Sequence, residues 1–166
     1  LAGRDPVNQT GLCHEPGTWG VLPTIETAVG PLEGSAEGRW VVDGVVPQAN
    51  LFSIEKPITV SFSKGRVTAI EGGQEAAALR SFLESFGDSS VYFLVEMGIG
   101  LNPKAKMWRS YLEAEAEYGT MHLGIGSGTS FGISHEAPTH CDLVTRDPVL
   151  KLDGRTILKD RTLLIG

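Results

Sequence analysis

A single run, QEAAALRSFLESFG (residues 74–87), carries an apolar stripe of helical period. Leu79, Phe82, Leu83 and Phe86 fall at i, i+3, i+4 and i+7, and Gly87 supplies a stop. Elsewhere the apolar residues come in short runs, alternating or continuous, closed by glycine or proline, which is the signature of strands. The chain can therefore lay one helix, over about 74–86, against sheet. A second, short helix is allowed only in NPKAKMWRSYLEAEAEYG (102–119), whose pattern is ambiguous. This predicts an α+β fold, strand-rich, with a largely antiparallel sheet.

The strands can be placed. GRWVVDGVVP (38–47) is β-branched and closed by Gly and Pro. PITVSFSKGRVTAIEGG (57–73) alternates on both sides of Lys64-Gly65 and predicts a hairpin. SVYFLVEMGIG (90–100), TMHLGIG (120–126) and THCDLVTR (139–146) are further strands. VLKLDGRTILKD (149–160) predicts a second hairpin around Asp153-Gly154, and TLLIG closes the chain. Residues 1–23, with three prolines and several glycines, predict an irregular surface segment.

Charge and cysteine usage exclude several classes. The net charge is −6, and no run or stripe of Lys and Arg appears, which argues against nucleic acid and anionic membranes as partners. No apolar run approaches the ~20 residues of a membrane span. Cys13 and Cys141 do not make a disulfide framework, so a reducing cytoplasm is expected. At 166 residues a single domain is the default. The chain starts on Leu in loop-like sequence, and a piece of a longer protein is expected.

The chemistry concentrates in TMHLGIGSGTSFGISHEAPTHCD (120–142), which holds His122, His135 and His140, three of four histidines. Alternation puts His140 and Asp142 on one strand face and turns Cys141 to the other. His122 points away from Met121 and Leu123, which would face a core. Glu96 is a lone carboxylate inside the apolar run FLVEMGIG, and burying it is costly unless it is paired or holds a metal. Two imidazoles and two carboxylates on strands beside glycines suit Zn, Mn, Fe or Co. His135, in a loop, is a candidate for orienting a ligand or meeting substrate, and His14 reads as a surface residue. Glu117, just before the His122 strand, could orient that ring. The run EAEAEY reads more simply as a solvated charged face.

VEMGIGLNPKAK, EYGTMHLGIGSG, HCDLV and VLKLDGRTI resemble, in order, blocks of the catalytic half of the metalloaminopeptidases called aminopeptidase T and aminopeptidase S. LPTIETAVGPLEGSAEGRWVVDG (22–44) resembles the segment before them. The resemblance spans about residues 20–165. It implies two divalent ions (Zn, Co or Mn) held by Glu26, Glu96, His122, His140 and Asp142, with Glu26 and Glu96 as the catalytic carboxylates. It also implies a peptide substrate and hydrolysis by a metal-activated water. Where that family places a Tyr after His122, this chain reads GIGSGTS, with Thr129 nearest.

The chain is also similar to the dihydroxypyridine dioxygenases, in EGSAEG, in HEPGTW (14–19) and in the compact loop before HCD. That similarity implies one iron(II), with His140 and Asp142 as ligands and Glu96 where those enzymes carry a third ligand, a His. It implies a small hydroxylated ring as substrate. Both relatives carry this half after an N-terminal α/β domain, and homodimers are common among them. The expectation is thus a single metal-binding catalytic domain, 1–166, from a two-domain protein, acting as a hydrolase. The alternatives are an iron(II) ring-cleaving dioxygenase and a family remnant that has lost its chemistry.

Overall fold

A computed structural model describes every residue except Ala2, Trp19 and Gly166, together with the side chain of Tyr111; Trp19 of the HEPGTW stretch thus lies outside the described residues. The described residues form eleven strands and one α-helix: β1 (Val7–Gln9), β2 (Glu26–Val29), β3 (Gly38–Val42), β4 (Ile58–Ser63), β5 (Arg66–Glu71), α1 (Gln74–Glu84), β6 (Leu94–Gly100), β7 (Met121–Gly126), β8 (His140–Thr145), β9 (Leu150–Leu152), β10 (Arg155–Lys159) and β11 (Thr162–Leu163). They form three sheets, β1-β2-β6-β7-β8, β3-β4-β5 and β9-β10-β11, and every strand pairing within them is antiparallel. The fold is strand-rich α+β.

Both predicted hairpins form. Lys64 and Gly65 have φ of 49° and 72°, and Asp153 and Gly154 have 50° and 80°. Two consecutive left-handed residues are what a two-residue turn needs to match the twist of its strands. Helix α1 buries Ala76, Leu79 and Leu83, while Phe82 and Phe86 meet edge to face. Complete burial of Leu79 and Leu83 contributes about 1.5–3 kcal/mol each. The helix ends at Glu84, two residues before the predicted limit, as Ser85 turns its N–H onto Leu83 and Ser81.

The structure corrects one expectation and fills in two segments that the sequence left open. Residues 1–23 are not wholly irregular, because β1 adds an edge strand to the main sheet. The segment Glu26–Val29, unassigned from sequence, is strand β2. Residues 102–119 form no α-helix: Tyr111–Glu113 is a single 3-10 turn, and α1 is the sole α-helix among the described residues. Pro103 and the isolated bridge Asn102↔Glu117 hold that segment as a loop folded back on itself.

One face of the main sheet is core. Leu94, Ile125, Cys141 and Leu143 pack with Val60, Ile70, Leu79 and Leu83 of the second sheet and helix. Ile99 and Met121 pack with Leu150 and Leu158 of the third. The opposite face is left for the site. Among the described residues no helix is long and apolar enough to cross a membrane.

Candidate metal centre

Strand register decides what the free face carries. Glu26 pairs with Gly100, Glu96 with Gly124, Gly98 with His122, Gly124 with Asp142 and Gly126 with His140. Alternation then brings Glu26, Glu96, His122, His140 and Asp142, all five sequence candidates, to one face, with glycines as their cross-strand neighbours. The glycines are required by space. A Cβ at Gly98 would lie 2.1 Å from His122 Nε2, and one at Gly124 would lie 2.6 Å from His140 Cε1 and 2.7 Å from Glu96 Oε2. The GIG repeats of β6 and β7 are thus the room in which the polar side chains lie down across the sheet.

The donor atoms converge. His140 Nε2 lies 2.8 Å from Glu96 Oε2 and 3.0 Å from Asp142 Oδ1. His122 Nε2 lies 3.1 Å from Glu96 Oε1 and 3.7 Å from Glu26 Oε2. Glu96 spans the two histidines. Three overlapping groups have ligand atoms within 4.8 Å of one another: Glu26 with Glu96 and His122, Glu96 with His140 and Asp142, and Glu115 with His122 and Asp142.

Glu115 was not singled out from sequence. The loop 102–118 delivers it, because Glu115 and Glu117 carbonyls press within 2.6 Å of where a Cβ on Gly100 would stand. The solvated-face reading of EAEAEY is corrected here: Ala114, Ala116 and Glu117 are buried, and Glu115 is partly so. Glu117 does not orient His122. It accepts the Met107 N–H at 2.9 Å, and Arg161 donates to it at 2.8 Å. His135 also stands apart, donating to the Ser90 carbonyl at 2.9 Å and lying 4.2 Å from the Phe93 ring. Cys141 is in the core, and burial pushes its thiol up.

Neighbouring groups fix the site side chains. His140 Nδ1 donates to the Ser127 carbonyl at 2.8 Å, which aims Nε2 at the two carboxylates. That is the usual way a protein orients a ligating imidazole. Gln48, in the 3-10 turn Pro47–Ala49, donates from Nε2 to Asp142 Oδ2 at 2.5 Å and accepts the Asp142 N–H at 3.0 Å. Its turn is anchored where the Gly44 N–H meets the Val144 carbonyl and Val45 accepts from Val144. Gln9 donates to Glu26 Oε1 at 2.9 Å. Neither glutamine carries a sequence signal, since both sit in segments without strong period.

Four carboxyl groups in so small a volume call for positive charge. Burial raises Glu26 to about 7 and Glu115 to about 9. Burial works to lower the histidines, but Glu96 and Glu26 lift His122 to about 10, and Asp142 and Glu96 lift His140 to about 12. Burial works to raise Asp142, yet His140 holds it well below the usual carboxylate range. Two buried atoms, Glu26 Oε2 and His122 Nδ1, have no hydrogen-bond partner. Mixed oxygen and imidazole donors, a ring oriented from behind and orphaned buried atoms fit a divalent transition metal in place of the protons.

The family model described as NicX: 2,5-dihydroxypyridine 5,6-dioxygenase matches residues 1–165. The chain belongs to this dioxygenase family. It is 32% identical over 165 residues to a curated 2,5-dihydroxypyridine 5,6-dioxygenase of Pseudomonas putida KT2440, covering 92% of this chain and 46% of that protein. The solved structure of 2,5-dihydroxypyridine dioxygenase from the same strain superposes with a TM-score of 0.89 at 30% identity, covering 100% of this chain and 51% of that one. The chain spans about half the length of these relatives.

Membership in the dioxygenase family overturns the expected aminopeptidase identity, and with it the hydrolase and metalloprotease readings and the peptide substrate. Three of the four blocks that suggested a peptidase are strands with a ligand-type residue and glycines opposite it, and the fourth, VLKLDGRTI, is the β9–β10 hairpin. The three encode the geometry of a polar sheet face, and that geometry does not name the reaction run on it.

Proposed function

We propose that this chain carries the iron(II) site of a ring-cleaving dioxygenase acting on small hydroxylated pyridine rings. The observation that carries the reading is the convergence of Glu96 Oε2 and Asp142 Oδ1 on His140 Nε2, at 2.8 and 3.0 Å, in a chain of the dioxygenase family. These three would hold the ion, and His122 would support Glu96 through its other oxygen. One imidazole and two carboxylates would offer iron(II) a mixed nitrogen and oxygen donor set, one carboxylate richer than the two-His, one-carboxylate set of non-haem iron(II) oxygenases. Iron(II), when bound, supplies the redox chemistry that joins dioxygen to an electron-rich ring.

The chain's own residues do the rest. Ser127 fixes the tautomer and aim of His140, and Gln48 occupies the oxygen of Asp142 that faces away from His140. A cavity of about 590 Å³ opens onto His140. Phe131 borders it, its ring centre 5.6 Å from that of His140 and tilted by 33°, so that a flat substrate has an aromatic surface beside the ligand set. Glu26 Oε2 is buried and without a hydrogen-bond partner, 3.7 Å from His122 Nε2.

The test is anaerobic loading of the protein with iron(II), followed by elemental analysis and oxygen uptake on 2,5-dihydroxypyridine. The expected result is about one iron per chain and uptake that both vanish in His140→Ala. Iron bound without uptake would overturn the reaction, and no iron bound would overturn the site.

A further inference from the structure

The cavity in front of His140 is larger than a bare dihydroxypyridine requires. At roughly 30 Å³ for each water-sized unit, a ring of eight non-hydrogen atoms fills less than half of its 590 Å³. Its reach also exceeds one ring. It borders Val7, Asn8 and Gln9 on β1 as well as His140 on β8, the two edges of a five-stranded sheet. Four strand spacings of about 4.8 Å separate those edges. The loop 127–133 comes back against the residue that follows β2, where the Phe131 carbonyl and Ile133 leave no space for a Cβ on Gly30.

Beside His140 stand Phe131 and the hydroxyl residues Ser127, Thr129 and Ser130. Toward β1 the cavity is bordered by Val7, Leu12 and Val21, with the uncharged polar residues Asn8, Gln9 and Thr10 among them. Leu12 is 62% exposed, so its apolar surface is available to be covered. Among the described residues no Lys, Arg, Asp or Glu side chain lines the cavity. Toward β1, away from His140, a carboxylate or phosphate on the ligand would find no counter-charge, and desolvating it would go uncompensated.

The geometry points to a substrate larger than the unsubstituted ring: a hydroxylated N-heteroaromatic carrying an uncharged apolar substituent. The ring lies beside Phe131 and His140, and the substituent runs toward Val7, Leu12 and Val21. This rests on the dioxygenase reading above and narrows it to a substrate class.

The experiment measures binding and oxygen uptake by the iron-loaded full chain with three probes. They are 2,5-dihydroxypyridine, its propyl-substituted analogue and a carboxyl-substituted analogue. The expected order has the propyl compound at least about tenfold better in kcat/KM than the bare ring, and the carboxylated compound worse than both. Leu12→Ser, at an exposed position, should narrow the ratio between propyl and bare ring. Equal use of propyl and bare rings, or ready use of the carboxylated one, would overturn the inference and leave the dioxygenase reading standing. Failure of all three with iron bound would overturn both.

Discussion

Gln48 grips Asp142 from both ends of its amide, donating to Oδ2 and accepting the Asp142 N–H. The grip leaves Oδ1 to face His140 at 3.0 Å. A glutamine 94 residues away in sequence thus sets which oxygen of the carboxylate is offered to an ion. Gln48→Ala should leave the fold intact and weaken iron(II) or cobalt(II) binding by about 10–100-fold. Gln48→Glu should do no better, because it sets a carboxylate against a carboxylate. Calorimetric titration of both variants reads the effect, and unchanged affinity in both would remove Gln48 from the site.

Space at the glycines makes a second prediction. A methyl group at Gly98 meets the His122 ring, and one at Gly124 meets both His140 and Glu96. Gly98→Ala and Gly124→Ala should each destabilise the chain by about 1–3 kcal/mol, the usual penalty of overpacking. Both should also lose metal affinity, because the ligand side chains must swing away. Denaturant unfolding and metal titration check this together, and a stable variant with full affinity would contradict it.

Much of this fold was legible because local period and burial agree. The stripe of Leu79, Phe82, Leu83 and Phe86 marks α1, and the alternation around Lys64-Gly65 marks a hairpin. His122, His140 and Asp142 were readable as neighbours because a strand sends alternate residues to one face, and Glu96 because a carboxylate in an apolar run needs a partner. Gln48, Gln9 and Glu115 were not, since their segments are placed by long-range packing. The loop that carries Glu115 rests on Gly100, and nothing in EAEAEY states that contact. The family was misread for a related reason: a His or Glu flanked by glycines reports the shape of the site and is silent on the substrate above it.

Glu117 belongs to stability and not to the metal. Burial works to raise its carboxyl, but Arg161, the Met107 N–H and Lys106 hold it below the usual value. A depressed carboxylate contributes stability that is present above its unfolded value of 4.5 and lost as pH falls through the folded one. Glu117→Gln should cost about 1–3 kcal/mol at neutral pH, and the gap from the parent should shrink on acidification below about pH 4. Metal affinity should stay within about twofold, since Glu117 touches none of the site side chains. A large loss of affinity would restore it to the role of orienting His122.

The site's own protons give the last prediction. Burial raises Glu26 to about 7 and Glu115 to about 9, while neighbouring carboxylates, against the pull of burial, raise His122 to about 10 and His140 to about 12. All four are raised, so the folded metal-free chain holds more protons than the unfolded chain, whose values are 4.5 for Glu and 6.5 for His. The contribution of each is fully present below its unfolded value and is lost as pH rises through its folded one. Asp142 shifts the other way, but it titrates far below this window. The melting temperature of the metal-free protein should therefore fall as pH rises from about 6.5 to 9.5. Metal must displace the histidine protons, so its affinity should rise over the same range. The melting temperature of the loaded protein should then be nearly flat, and the gap between loaded and metal-free curves should widen with pH. Scanning fluorimetry at several pH values, with and without cobalt(II), measures both curves. A metal-free melting temperature that climbs with pH would mean that these histidines are neutral in the fold, and the carboxylate cluster would then need another source of positive charge.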